Sequence, residues 1–257
     1  MVDTEELSKN GYVVVRGAVG RNEALDYKER LIEAWREEEC VSHSQPMWDL
    51  RCEGGVRRVF EDVWDGEKDL ITSFDGASFK RKGKMGFVLG YHVDQEVEGK
   101  ACYQGVVALT DSNEKTGTTC VLPRSHLHHS SFRKRKGASE EWEEGSWQFL
   151  EVGEGDPLFR SSLQPTPVHL SPGDILLFDS RLAHRVLPAE DREEERVVAY
   201  VSMVPRKMAS KKCLRKRRRM AKERKASTHW PHLLVERGDA SFKSGVKEFS
   251  KEMASLI

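Results

Sequence analysis

Residues 167–184 read PVHLSPGDILLFDSRLAH. Pro172, Gly173 and Asp174 make a turn. The Ile175–Leu176–Leu177–Phe178 that follows is an unbroken apolar run of strand length, closed by Asp179 and Ser180. A strand apolar on both faces is one that the fold buries. The same texture, short apolar runs cut by Gly, Asp and Asn, extends to either side: LITSFDG at 70–76, KMGFVLGYHVD at 84–94, YQGVVALTD at 103–111, TTCVLPRS at 118–125 and RVVAYVSMV at 196–204. Many short strands at this spacing predict a barrel or sandwich.

Upstream the pattern is mixed α/β. Residues 3–10 read as a short helix, Asn10–Gly11 as a turn and Tyr12–Val15 as a β-branched strand; a helix follows from about 23 to 39, with Ala24, Leu25, Tyr27, Leu31, Ile32 and Trp35 at helical spacing. Residues 127–165 are polar and Glu-rich, an insertion between strands in which Trp142 and Trp147 are candidates for a lid. Beyond Pro205 the chain turns basic and helical. No internal repeat and no long Pro/Gly/Ser linker divides it. The expected organisation is one domain over 1–257: an N-terminal α/β flank (1–83), a β core (84–205) with the insertion 127–165, and a C-terminal helical extension (206–257).

The 257 residues are 38% hydrophobic and 33% charged, a globular mixture rather than a disordered one. No apolar run approaches the roughly 20 residues that cross a bilayer, and the N-terminus lacks the basic start and apolar core of a signal peptide. The expectation is an intracellular, cytoplasmic protein with no membrane span. Because 42 Lys and Arg balance 42 Asp and Glu, no global field draws the chain to nucleic acid. The balance is uneven, however: Arg206 to Lys225 holds 12 basic residues and the single acid Glu223, leaving a net −11 on the rest. That run reads as a solvated helix face. Nucleic acid or another polyanion is the alternative partner, and nuclear entry the alternative address, but the run has no aromatic side chain on which a base would stack. The 5 cysteines are scattered without a C-x-x-C pair, which suits a reducing compartment and excludes a zinc ribbon or disulfide framework.

The chemistry centres on Tyr91–His92–Val93–Asp94. Residues i and i+2 of a strand face the same way, so His92 and Asp94 can converge on one ion. By itself the pair carries little weight, since about half of one such H-x-D is expected by chance in a chain of this composition. His184, on or just after the strand that follows Ile175–Asp179, supplies a second imidazole. Two histidines and one carboxylate occupy three corners of an octahedron and leave three open, enough for a bidentate 2-oxo acid and dioxygen, whereas a structural zinc site is closed by four protein ligands. Arg196, twelve residues beyond His184, offers a guanidinium fork to the far carboxylate of such a cosubstrate. The other histidines read as structural: His126, His128 and His129 as solvated surface, His169 as a strand residue, and His229–Trp230–Pro231–His232 as packing of the extension, with His229 or Trp230 at the border of a substrate cavity. Cys102 and Cys120 read as buried strand residues.

In this order the motifs resemble the phytanoyl-CoA dioxygenase-like branch of the iron(II)- and 2-oxoglutarate-dependent oxygenases. Asn10–Arg16 (NGYVVVR) resembles its N-terminal strand, and Thr116–His126 (TGTTCVLPRSH) its segment ending in Pro-Gly-Ser-His. The resemblance spans about residues 8–205. It implies a mainly β fold with flanking helices, a double-stranded β-helix (jelly roll, cupin-like). It also implies Fe(II), 2-oxoglutarate and O2 as cofactor and cosubstrates, with His92, Asp94 and His184 as iron ligands, Arg196 on the distal carboxylate of 2-oxoglutarate and Gln104 as a second cosubstrate contact. The implied reaction is hydroxylation of an unactivated C–H of a small molecule, with release of succinate and CO2. The chain departs from the pattern at Arg124, where the family has Gly, and at Val197–Val198, where a small hydroxyl residue often stands second after the arginine. Asp94 sets it apart from halogenases, which lack that carboxylate. Two other readings stay open: a cupin-like metal-binding module without turnover, and a nucleic-acid-associated oxygenase that uses residues 206–225.

Overall fold

The computed structural model describes residues 1–257 except 38–39, 87, 100, 139–148, 154, 161–162, 236–245 and 247. Trp142 and Trp147 lie outside the described residues. The helices are α1 (Thr4–Asn10), α2 (Arg21–Arg36), α3 (Gln45–Cys52), α4 (Gly54–Val63), α5 (His129–Arg135), α6 (Pro157–Arg160), α7 (Lys211–Glu223) and α8 (Lys251–Ser255). The strands are β1 (Tyr12–Val15), β2 (Leu70–Thr72), β3 (Ala77–Lys80), β4 (Leu89–Val93), β5 (Tyr103–Ala108), β6 (Thr118–Val121), β7 (Leu150–Glu151), β8 (Thr166–Pro167), β9 (Ile175–Asp179), β10 (His184–Leu187) and β11 (Arg196–Pro205).

All pairings between these strands are antiparallel, in two sheets. The major sheet runs β1-β9-β5-β11-β2, with β3 beside β2 on the same edge of the long β11; the minor sheet runs β7-β4-β10-β6-β8. From β3 onward the chain passes back and forth between the sheets, so that β3, β11, β5 and β9 face β4, β10, β6 and β8. This is the double-stranded β-helix expected. The first 83 residues contribute β1, β2 and β3 to the edges of the major sheet, and the insertion contributes β7, which pairs with β4 beside His92.

The alternation of side chains along the major sheet separates two cores. On one face Val107, Ile175, Leu177, Ala199 and Val201 pack with Leu31, Trp48 and Phe60 of the helices. On the other, Val106, Leu176, Phe178 and Val198 meet Val121, Val168 and Leu170 inside the barrel. The turn that launches β9 is what its sequence requires: Gly173 has φ +95°, and a Cβ there would lie 2.1 Å from the Val19 carbonyl oxygen. Asp174 then accepts hydrogen bonds from the Gly17 and Ser171 amides, each at 2.9 Å, and pairs with Arg16 at 2.6 Å, which ties β1 to β9.

One sequence expectation is corrected. Only His128 of the 126–129 cluster is exposed. His126 is buried and donates from Nε2 to the Ser8 carbonyl at 3.1 Å; His129 is buried and donates to the Gln95 carbonyl at 2.8 Å. The cause is local. Gly11 caps α1 at φ +82°, and its missing Cβ leaves the space that His126 fills, a Cβ there being 2.5 Å from the imidazole. His169 is exposed and pairs with Glu114, and Trp230 of the extension is buried against Ile71, Cys102 and Val204. Cys102 and Cys120 are buried.

Candidate metal centre

The three ligand candidates come from two adjacent strands of the minor sheet. His184 opens β10 and stands directly across from His92 of β4, their rings 4.2 Å apart; Asp94 follows just past the end of β4. One ligand atom from each of His92, Asp94 and His184 falls within 4.8 Å of the others, and this is the metal-capable group among the described residues. The Asp94 carboxylate faces both imidazoles, Oδ1 at 3.5 Å from His92 Nε2 and Oδ2 at 3.4 Å from His184 Nε2.

Each imidazole is oriented from behind by the backbone two residues earlier. His92 Nδ1–H donates to the Gly90 carbonyl at 2.8 Å, and His184 Nδ1–H to the Leu182 carbonyl at 3.0 Å. With the proton on Nδ1, the Nε2 lone pair of each ring is turned toward Asp94, the arrangement that metal-binding histidines need. Electrostatics agree. Burial and the neighbouring His92 push His184 down to about 4. Asp94 is held well below the ordinary carboxylate range by His229, His184 and His92 and by the Gln104 amide, against the opposing effect of its burial. At neutral pH His184 is therefore neutral and Asp94 ionised, the forms in which each can take a cation. The donor set fits a divalent ion that takes a two-histidine, one-carboxylate face.

The major sheet meets this triad through two side chains that register places opposite each other, Gln104 and Phe178. Gln104 Nε2 donates to Asp94 Oδ2 at 3.1 Å, and the Phe178 ring is 4.7 Å from the His184 ring. Gln104, expected as a cosubstrate contact, thus has its amide on the carboxylate. Phe149, just before β7, stacks on His92 at 4.6 Å and also lines a cavity of about 460 Å³ with Tyr91, Phe159 and Arg185.

Arg196 begins β11 and is buried, its Nε donating to Ser112 Oγ at 2.9 Å. Its other hydrogen-bond partner is Tyr200, on the same face of the strand. Among the described residues it has no carboxylate partner, and burial lowers its pKa. A buried guanidinium without a counter-ion is costly and calls for an anion. Tyr200 feels the charges of both Arg196 and Asp94. Sequence reading passed over Tyr200, although its even spacing from Arg196 on a strand is a usable signal. Phe149 carried no such signal, because it falls in the insertion.

The phytanoyl-CoA dioxygenase (PhyH) family model matches residues 87–188, which hold the whole triad. A curated relative, Ava biosynthesis cluster protein O of Aspergillus versicolor, is 23% identical over 267 residues, covering 90% of this chain and 86% of that protein. Among solved structures, a putative oxidoreductase of Salmonella typhimurium LT2 superposes with a TM-score of 0.71 at 15% identity, covering 100% of this chain and 82% of that one. The epimerase SnoN, solved with Fe3+, α-ketoglutarate and nogalamycin RO, gives a TM-score of 0.60 at 15% identity over 78% of this chain and 81% of its own. These likenesses share the fold, and no helix among the described residues is long and apolar enough to cross a membrane. Residues 87–188 are thus similar to phytanoyl-CoA dioxygenase, the family that the motifs resemble.

Proposed function

We propose that this chain is an iron(II)- and 2-oxoglutarate-dependent oxygenase that hydroxylates a C–H of a small-molecule substrate, with succinate and CO2 as coproducts. The observation that carries the reading is the pairing of a preorganised His92–Asp94–His184 face with a buried Arg196 that has no carboxylate partner among the described residues. Bound Fe(II) supplies, with 2-oxoglutarate and O2, the oxidative chemistry that neither side chains nor water provide. The chain supplies placement. His92 and His184 present Nε2, Asp94 presents its carboxylate, and Gln104 holds Oδ2 so that the carboxylate does not rotate. Arg196 takes the distal carboxylate of the cosubstrate in a charge-assisted contact, steadied by Ser112 and Tyr200. Phe149 and Phe178 close the imidazoles off with apolar surface, which keeps water away from the reacting centre.

SnoN is an epimerase on the same fold, so the outcome at the substrate carbon is the finer part of the proposal. A cupin-like binding module leaves Arg196 without a purpose. The nucleic-acid reading loses part of its basis because Arg217, inside the basic run, is fully buried and spends its guanidinium on backbone carbonyls. The test is anaerobic addition of Fe(II) and then 2-oxoglutarate to the purified protein. A visible charge-transfer band is expected, abolished in His184→Ala and weakened in Arg196→Ala. Its absence from folded, iron-loaded wild type overturns the reading in favour of the binding module.

A further inference from the structure

We propose that residues 225–232 form a strap that completes the metal centre from outside the β-helix, with His229 as the positioning residue for Asp94. The inference rests on the iron reading above and concerns a stretch beyond residue 188, which the family match leaves out. His229 is partly buried, and its Nε2–H donates to the Asp94 carbonyl oxygen at 3.3 Å. It is outside the donor group of His92, Asp94 and His184, so it acts through Asp94. That carbonyl needs a partner from elsewhere. The β4 ladder ends at Val93, opposite Leu150, so Asp94 aims its carboxylate at both imidazoles from a residue that strand pairing no longer holds. A donor on its carbonyl replaces the missing ladder bond and limits rotation of the peptide that sets the side-chain direction.

The strap is anchored on both sides of His229, each time to a different element. The Lys225 carbonyl accepts from His43 Nε2 at 3.0 Å, and the Ser227 amide donates to the Phe74 carbonyl at 2.9 Å. Trp230 is buried with Ile71, Cys102 and Val204. The Pro231 carbonyl accepts from Arg217 Nη1 at 2.7 Å. Arg217 in turn donates to the carbonyls of Thr72, Leu256 and Ile257 at 2.7, 2.9 and 2.8 Å, so the centre of the basic helix is the clamp that fixes the strap to β2 and the segment after α8. A residue held between such anchors is placed by the fold before any ligand arrives.

The test uses the full metal-free chain and Co(II) alone as probe, whose visible bands report coordination geometry, in wild type, His229→Ala, His229→Phe and His229→Gln. The glutamine amide nitrogen is as many bonds from Cα as imidazole Nε2, so it can renew the bond to Asp94, whereas phenylalanine fills the space without a donor. His229→Ala and His229→Phe are expected to bind Co(II) about tenfold more weakly, in line with loss of an outer partner of a metal ligand, and to shift the bands. His229→Gln is expected to recover most of the affinity and the wild-type spectrum. Wild-type affinity and bands in His229→Ala and His229→Phe overturn the inference, as does a glutamine variant no better than phenylalanine. A melting temperature lowered equally in all three variants with unshifted bands also overturns it. Wild type that takes up no Co(II) overturns the iron reading and this inference together, an outcome distinct from loaded wild type with indifferent variants.

Discussion

The two sheets divide the work unequally. In the major sheet β5 and β9 are buried along their whole length and β11 at all but Tyr200, with helices against one face and the barrel interior against the other. In the minor sheet the strands are two to five residues long, β4 is open at Gly90 and partly open at Leu89 and Tyr91, and the register between β4 and β10 shifts after the His92–His184 pair. His92 and His184 sit on this less regular sheet and Asp94 just past the end of its β4, while Arg196, Tyr200 and Gln104 come from the major one. A metal face needs backbone that departs from the ladder so that three side chains converge. An anion contact needs only a charge that cannot move, which the interior of a packed sheet supplies.

Truncating one residue at each sheet separates their roles most strongly. His184→Ala is expected to lower Co(II) or Fe(II) affinity by more than about 100-fold, beyond the cost of losing an outer-shell partner, with little change in urea unfolding. Phe60→Ala, beneath the major sheet, is expected to cost about 3–5 kcal/mol of folding free energy with metal affinity of the folded fraction intact. Equal stability losses in the two variants would erase the division of labour.

Arg196→Met is the next largest effect and separates function from stability within the major sheet. Replacing an uncompensated buried charge with an apolar side chain of similar volume is expected to leave the metal-free chain as stable as wild type or more so, while 2-oxoglutarate binding, followed by calorimetry on the metal-loaded protein, falls at least about tenfold. A destabilised variant with unchanged cosubstrate affinity would make Arg196 a structural residue.

Acid titration compares the helical layer with the minor sheet. Burial holds His43 down at about 3 and His184 at about 4, against an ordinary value of 6.5. Between those values the unfolded chain binds protons that the folded chain refuses, so stability rises with pH through this window. On acidification from about 6.5 toward 4 the metal-free protein is expected to lose up to about 1.4 kcal/mol per pH unit for each of the two histidines. Asp94 stays ionised throughout, because its carboxyl is held below the usual range. Chemical denaturation at stepped pH measures the slope, and a flat profile would show that these imidazoles are not buried neutral.

The smallest effect concerns Arg124, which has φ +69° in the left-handed region where the resembled family has Gly. An L side chain there costs about 1–2 kcal/mol, partly offset by the greater freedom that glycine gives the unfolded chain. Arg124→Gly is therefore expected to raise the melting temperature slightly and leave metal binding alone. A lowered melting temperature would mean that the arginine makes up for its backbone elsewhere.

Much of this was legible in the residues. Tyr12–Val15 appears as a strand with the bounds that its β-branched run suggests, Gly11 and Gly173 adopt the positive φ that turn chemistry calls for, and His92 and Asp94, two residues apart, bring their ligand atoms together. Local steric preference and a period of two decide such features, and both are written in the chain. What stayed hidden depends on partners distant in sequence. The burial of His126 depends on the space left at Gly11, and Leu25 and Trp35 stay exposed on α2 despite their spacing, because the packing of neighbouring elements decides which helical face is covered.

The strand texture, the turns and the three ligand types at usable spacing are written in the residues, since they follow from short-range sterics and side-chain chemistry. It took the closed fold to leave Arg196 without a carboxylate partner among the described residues, to rest Gln104 on Asp94, and to bring His229 to the Asp94 carbonyl. Each of these joins residues 10 to 135 positions apart or depends on the full set of a buried charge's neighbours, and such proximity exists only once the sheets have closed.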